Sequence, residues 1–351
     1  MQIQSINLTP YKLPFRKTWK THNHQLSSRS GWLVELTTDT GLSGYGDCAP
    51  LPAAGTENLL QAHRYLEMYS ENFQPTTALE ALQKLPSTQS TPAARVAIET
   101  ALLDLISQSE QQTLRRWLSP DARNEVVVNS MIGSLDKDSF SAAMHALKQG
   151  YQVLKMKLGI NELKDDIQYL EELCLQLPEH TKIRLDANGS WSYKQAESFI
   201  KAIHHLPVES IEEPLHEPEL SILCKLQDCT SIALALDESI VKFKLDALLK
   251  SQAIQRLIIK PTTHGSLLAS LELAKRAEFH EYEVVVTSTI ESAVGLQAAA
   301  QVAAVISSTN DVLAHGLATS DWLLDNVAAP PEINHGTLYL PDTYGLGLSP
   351  Y

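Results

Sequence analysis

The chain has 351 residues, 44% of them hydrophobic and 20% charged, which is ordinary globular usage with room for one large domain or two smaller ones, and excludes a disordered or fibrous protein. Its 28 Lys and Arg against 41 Asp and Glu leave a net charge of −13, the wrong sign for a general nucleic-acid binder, so an anionic substrate must be held by locally placed cations. Cys48, Cys174, Cys224 and Cys229 include no C-x-x-C pair and do not make a disulfide framework.

The opening Met1-Gln2-Ile3-Gln4-Ser5 has neither the basic stretch nor the apolar core of a secretory signal. The longest apolar run, Ala293 to Ile306, is interrupted by Gln297 and Gln301 and falls short of the ~20 residues a membrane span needs. The expectation is a soluble, cytoplasmic protein with no membrane partner. The first 50 residues are strand-like: Trp32, Val34 and Leu36 alternate, and Thr38-Asp39-Thr40-Gly41 reads as a turn. Residues 91–107 read as a helix, with Thr91 as cap, Pro92 at the first position, and Ile98, Leu102, Leu105 and Ile106 on one face. Strands followed by helices predict an α+β domain over residues 1–122.

From there short apolar runs alternate with amphipathic helical patterns. The runs are Val126–Val128, Val153–Leu158, Ile183–Leu185, Ile211, Ile232–Leu236, Leu257–Ile259, Val284–Val286 and Val312–Leu313. One intervening helix carries Leu163, Ile167, Leu170, Cys174 and Leu177; another is opened by a capping box of Ser192 and Gln195. The residues closing the runs recur at roughly 23 to 29 positions, the length of a βα unit, which predicts an α/β chain with an eight-stranded parallel TIM-type (β/α) barrel over residues 123–328. A doubly wound open sheet competes, but no Gly-rich turn follows the first strand. Residues 329–351, with Pro330, Pro331, Pro341 and Pro350, are too rich in proline for a further unit and are expected to return to the N-terminal domain.

Ionisable residues close five consecutive runs: Lys155 and Lys157, Asp186 with Asn188, Glu212, Asp237, and Lys260. In a barrel the carboxyl ends of the strands share one mouth, so these groups converge. Strand parity turns Leu154, Met156 and Leu158 towards the helices and Lys155 and Lys157 inward, and selects Glu212 over Glu213. Three carboxylates meeting there need a cation to stay ionised, and oxygen-only ligation favours Mg²⁺ before Ca²⁺ or Mn²⁺. A lysine base working near neutral pH needs its pKa brought from about 10.4 to about 7–8, a change worth about 4 kcal/mol. One unit charge 4 Å away at an effective dielectric of 20 supplies about that much. A metal holding a substrate carboxylate stabilises the enediolate formed as a neutral lysine removes the α-proton. His264 and His315 lie near later strand ends, within possible reach of substrate.

Lys155-Met156-Lys157, Asp186-Ala187-Asn188, Glu212-Glu213-Pro214, Asp237-Glu238-Ser239 and Lys260-Pro261 resemble the muconate-lactonizing branch of the enolase superfamily, which uses a Lys or His base with Mg²⁺. The resemblance covers nearly the whole chain. It implies an α+β capping domain on a modified (β/α) barrel, with Asp186, Glu212 and Asp237 as Mg²⁺ ligands and Lys157 and Lys260 as catalytic residues on opposite substrate faces. Lys155 and Asn188 are placed as substrate contacts.

Three segments, Gly46-Asp47-Cys48-Ala49-Pro50-Leu51-Pro52, Ser288-Thr289-Ile290-Glu291-Ser292 and His315-Gly316-Leu317-Ala318-Thr319, resemble the o-succinylbenzoate synthase family of menaquinone biosynthesis. That likeness implies a Mg²⁺-dependent (or Mn²⁺-dependent) dehydratase acting on a small anionic carboxylate. Lys157 is then base and acid, Lys260 is a cation over the ring face, and Ser288, Thr289 and Glu291 are substrate contacts by position. The same scaffold also serves racemisation of N-succinylamino acids and epimerisation of dipeptides. Dipeptide epimerases of this kind usually carry Asp-x-Asp at the eighth strand, where this chain has Asp311-Val312-Leu313-Ala314-His315. The capping segment has Asp47 where relatives often have Glu. The oligomeric state stays open.

Overall fold

The computed structural model describes residues 1–20, 25–88, 90–308 and 313–351. Strands β1 (Ile3–Lys20), β2 (Gln25–Thr38) and β3 (Ser43–Cys48) form an antiparallel sheet in chain order. The alternation at Val34 and Leu36 turns both side chains into the core. Helices α1 (Leu59–Glu71), α2 (Ala78–Lys84) and α3 (Pro92–Ser109) follow. Helix α3 lies so close to β3 that a Cβ on Gly46 would fall 1.8 Å from the Ala97 carbonyl oxygen, so only glycine fits there. Its N-terminus is satisfied differently from the sequence expectation. The Thr91 hydroxyl makes no capping bond; the buried Glu57 carboxylate accepts from the amides of Ala93 and Ala94.

After the short α4 (Leu114–Leu118), β4 (Glu125–Val127) leads to β5 (Ser130–Ser134) and α5 (Ser139–Lys148). The βα units then run in order: β6 (Val153–Lys157), α6 (Leu163–Cys174), β7 (Lys182–Asp186) and α7 (Tyr193–Ile203). Next come β8 (Val208–Glu212), α8 (Leu220–Gln227), β9 (Ala233–Leu236) and α9 (Leu245–Ser251). The last are β10 (Arg256–Ile259), α10 (Pro261–His264), α11 (Leu267–Phe279), β11 (Glu283–Val286) and α12 (Ala293–Ile306). Helix α7 opens with the predicted capping box, Ser192 accepting from the Gln195 amide and Gln195 from the Ser192 amide. Strands β5 to β11 make one curled parallel sheet of seven strands. Helices cover it and the main hydrophobic core lies between the two layers, giving a modified (β/α) barrel of the TIM type carrying an antiparallel N-terminal domain.

The two ends of the barrel differ from the sequence expectation. The run Val126–Val128 is not the first barrel strand. Its main part is β4, which pairs antiparallel with β13 (Thr337–Tyr339), itself hairpinned to β12 (Glu332–Asn334). The true first strand, Ser-Met-Ile-Gly-Ser, is half-buried throughout, so it lacks the apolar density by which a fully covered strand is recognised. At the other end, Val312 lies outside the described residues and Leu313 belongs to no strand. The gap between β11 and residues 127–129 is closed two residues later. The His315 amide donates to Val127 O, the Asn129 amide to His315 O, and the Gly316 amide to Val286 O.

Among the described residues, no helix is long and apolar enough to cross a membrane.

Candidate active site

Register brings the charged strand ends together. Lys157 on β6 is level with Asp186 on β7, Asp186 is level with Glu212 on β8, and Glu212 is level with Ala235 on β9, two residues before Asp237. Leu154, Met156 and Leu158 pack into the core under the helices, which leaves Lys155 and Lys157 on the inner face, as period-two alternation requires. Glu213 itself adopts a left-handed backbone conformation (φ 45) and points elsewhere. Its carboxylate accepts from the amides of Asp237 and Ser239 and from the Ser239 hydroxyl, and so fixes the turn that presents Asp237.

The inward groups form a buried lattice of alternating charge. Lys155 Nζ donates to Glu212 Oε2 at 2.6 Å and stands 3.3 Å from Asp186 Oδ2. Lys260 pairs with Asp237. Lys157 Nζ donates to the neutral Asn188 Oδ1 at 2.8 Å, with Asp186 Oδ2 at 3.8 Å. Burial alone would lower Lys155 and Lys260, but Asp186 and Glu212 around the first, and Asp237, Glu212 and Glu238 around the second, outweigh it and hold both above the usual lysine range. Burial would likewise raise Asp186, yet Lys155, Lys157 and Lys260 keep it below the usual carboxylate range. Burial pushes Glu212 up to about 7, with Lys155 opposing and the carboxylates of Asp186 and Asp237 adding to the rise. Asp237 rises to about 6, chiefly through burial.

Among the described residues no three His, Cys, Asp or Glu side chains are drawn together tightly enough to form a metal shell as they stand. Glu212 Oε1 is nevertheless buried with no hydrogen-bond partner, in a cluster of oxygen ligands where burial first, and the carboxylates of Asp186 and Asp237 second, raise its carboxyl. An orphaned carboxylate oxygen among three acids fits a hard divalent cation.

These groups open into a cavity of about 190 Å³. One wall is apolar, built from Phe15 and Leu26 of the hairpin, Leu51, Ala53 and Ala54 after β3, and Ile290. Ser288, Thr289 and Thr319 line another part, where the Ser288 and Thr319 hydroxyls lie 2.7 Å apart. Lys155, Lys157, Asn188 and Lys260 all reach this cavity with the carboxylates of Asp186, Glu212, Asp237 and Glu238.

Glu291 does not line it. Its carboxylate is spent on the hydroxyls of Thr262 and Thr289 and the Thr289 amide. Nor do the two histidines. His315 Nδ1 accepts from the Val286 amide and Nε2 faces the Ser307 hydroxyl; burial and the nearby Arg184 lower it to about 3, so it is a neutral brace at the barrel closure. His264, lowered to about 4 by burial and Lys260, ends α10 outside the lining. Arg29, Asn129 and Thr287 line the cavity without having been singled out in the sequence. Thr287 was reachable by parity, two residues past the inward Val285. Arg29 gave no sign in the run Ser27-Ser28-Arg29-Ser30.

Residues 139–351 match the family model described as enolase C-terminal domain-like, and residues 3–95 match that of the MenC N-terminal domain. The chain belongs to the enolase superfamily. Within it, this superfamily member is 30% identical over 333 residues to an o-succinylbenzoate synthase of Yersinia pestis (strain Pestoides F), covering 93% of this chain and 94% of that one. It is 26% identical over 333 residues to an L-amino acid-D/L-Glu epimerase of Francisella philomiragia, covering 92% and 91%. Among solved structures it is similar to the L-Ala-D/L-Glu epimerase from Bacillus subtilis, with a TM-score of 0.88, 25% identity and 99% of both chains covered. Lyase and epimerase relatives thus stand at comparable distance from one scaffold.

Proposed function

We propose that the protein is an o-succinylbenzoate synthase, which dehydrates 2-succinyl-6-hydroxy-2,4-cyclohexadiene-1-carboxylate to 2-succinylbenzoate by syn elimination. The observation that carries this reading is the placement of Lys157 and Lys260 around Asp186, Glu212 and Asp237 in one buried cavity. In this reading residues 1–122 cap a barrel of residues 123–328, and residues 329–351 return to the capping domain.

Asp186, Glu212 and Asp237 would hold Mg²⁺, with Mn²⁺ as a substitute of the same donor preference. The ion would supply positive charge to the substrate carboxylate as negative charge develops on it.

Lys157 takes the α-proton on Nζ while the C–H electron pair moves towards the carboxylate. The resulting ammonium returns a proton to the hydroxyl on the neighbouring carbon; the C–O bond breaks, water leaves, and the ring becomes aromatic. Lys157 suits this cycle because it donates to the Asn188 amide oxygen and stands 3.8 Å from Asp186, whereas Lys155 and Lys260 each hydrogen-bond a carboxylate. Lys260, fixed by Asp237, stays cationic against the forming ring. The apolar wall of Phe15, Leu26 and Leu51 covers the ring and excludes water.

Two observations favour dehydration over dipeptide epimerisation. The N-terminal residues match the MenC model, and the segment closing the barrel brings Gly316, Ala318 and Thr319, none of them acidic, to the cavity, where a free substrate ammonium would call for a carboxylate. The test is conversion of the cyclohexadiene substrate followed by absorbance with and without EDTA, beside α-proton exchange of N-succinylamino acids and dipeptides in D₂O. EDTA-sensitive dehydration with slow exchange is expected. Exchange without dehydration would move the protein to the racemase reading and make Lys260 a second acid/base.

A further inference from the structure

Arg29 is a long cationic side chain on β2, only 3% exposed, and it reaches two segments far apart in the chain. Its Nη2 donates to Ala49 O at 2.7 Å and its Nη1 to Pro50 O at 2.9 Å, while Nε donates to Ile290 O at 3.1 Å. The first two carbonyls begin the loop that brings Leu51, Ala53 and Ala54 to the cavity; the third belongs to the loop after β11 that brings Ser288, Thr289 and Ile290. One planar guanidinium thus ties two facing walls of the site by a fork of fixed geometry.

Ile290 gives this tie a further consequence. Its φ is +60, a left-handed conformation that a β-branched residue adopts only when its surroundings over-determine it. The Ile290 carbonyl is held by Arg29, its amide by the Ser288 hydroxyl at 3.0 Å, and its side chain by Leu13, Phe15 and Leu323. The side chain of Phe15 lies on the same apolar wall.

We propose that Arg29 is a positioning residue. It sets the spacing between the capping loop and the barrel loop and keeps Ile290 in its left-handed conformation, and through both it governs how tightly the cavity closes on substrate. A lysine ammonium has three donors at one point but no planar fork that reaches both loops, so Arg29→Lys breaks the tie between them and leaves buried carbonyls unpaired.

The deciding experiment is hydrogen–deuterium exchange on the full chain carrying Arg29→Lys, because it does not depend on the reaction proposed above. Residues 49–56 and 288–292 contain protected amides, among them Leu51 on the Thr56 hydroxyl and Thr289 on Glu291. Both segments are expected to exchange at least tenfold faster together, with β7 and α7 unchanged. Loosening of one segment alone, or of neither, overturns the proposal. Should the lysine variant not fold, Arg29→Gln, which keeps two donors on a shorter stem, takes its place with the same two outcomes.

The catalytic readout is a split between constants. With the cyclohexadiene substrate, KM is expected to rise at least tenfold while kcat stays within about threefold. Adding Ile290→Gly, which tolerates positive φ, is expected to recover part of the KM loss. A fall in kcat at constant KM, or no recovery by glycine, would show that Arg29 acts by some other route.

Discussion

Lys155, Lys157 and Lys260 share one buried cavity, and their partners separate their roles. Lys155 and Lys260 each hydrogen-bond a carboxylate, while Lys157 donates to an amide oxygen and stands farther off, 3.8 Å from Asp186. Lys157→Ala is therefore expected to lower kcat by about 10³, within the usual range for loss of a general base, with an unchanged thermal melt and unchanged Mg²⁺ binding; near-wild-type turnover would remove Lys157 as the base. Lys260→Arg keeps charge but not a transferable proton. It is expected to retain part of the dehydration rate, because only charge is needed there, while abolishing racemisation of N-succinylamino acids, which needs proton transfer on both faces; complete loss of dehydration would count against a purely electrostatic Lys260. These groups were legible in the sequence because each interrupts an apolar strand at the same place, and parity separated Glu212 from Glu213. Arg29, Glu57 and Asp104 were not. They sit in ordinary polar contexts, and their burial is decided by Ile290, Ala93 and Leu346, partners that local pattern does not reveal.

Among the elements, the βα period was readable wherever a strand is covered on both faces, from β6 to β11. It failed at the first barrel strand, where Ser130–Ser134 is half-buried; at the other end Val312 lies outside the described residues, and among those described His315 and Gly316 close the sheet by single bridges. Equally hidden was how N-terminal carboxylates cap barrel helices. Glu99 of α3 accepts from the Ser266 hydroxyl and the Leu267 amide at the start of α11. Asp47 of β3 accepts from the Ser292 amide and hydroxyl at the start of α12, and also from the Tyr11 hydroxyl. A Cβ on Gly295 would come within 2.7 Å of Asp47 Oδ2, so the shorter acid lies tight against that helix, and a longer one would need the helix to shift. Asp47→Ala strands these buried donors. It is expected to cost about 2–3 kcal/mol, read as a lower urea midpoint at constant slope, and Asp47→Asn should cost less. A midpoint within error of wild type would mean that Ser292 finds another acceptor and that the contact contributes nothing.

For the molecule as a whole, Asp104 joins three distant parts of the chain. From α3 it accepts from the Tyr45 amide on β3, the Leu346 amide near the carboxyl end and the Gln108 side chain. Leu346 is itself fully buried, and Gln297 and Gln301 of α12 donate to its carbonyl. Burial raises Asp104 from its ordinary 3.8 to about 6, and these hydrogen bonds only partly oppose the rise. The sign follows from proton counting. Below about pH 4 the group is protonated folded and unfolded, and pH has no effect through it. Between about 4 and 6 the folded protein keeps a proton that the unfolded chain has released, so stability falls as pH rises; above 6 the full cost, about 3 kcal/mol for that gap, is in place. Asp104→Asn is neutral throughout and loses one acceptor. It is expected to be about 1 kcal/mol less stable than wild type near pH 4, and to gain about 3 kcal/mol relative to wild type by pH 7, so that the order reverses. Urea midpoints at the two pH values measure this directly, and other titrating groups cancel in the difference. A pH-independent difference would mean that the raised carboxyl is not the source. A reversal seen at one midpoint by both tryptophan fluorescence and circular dichroism would show that sheet, barrel and carboxyl-terminal segment unfold as one unit, because a segment detaching alone would carry the pH dependence away from the main transition.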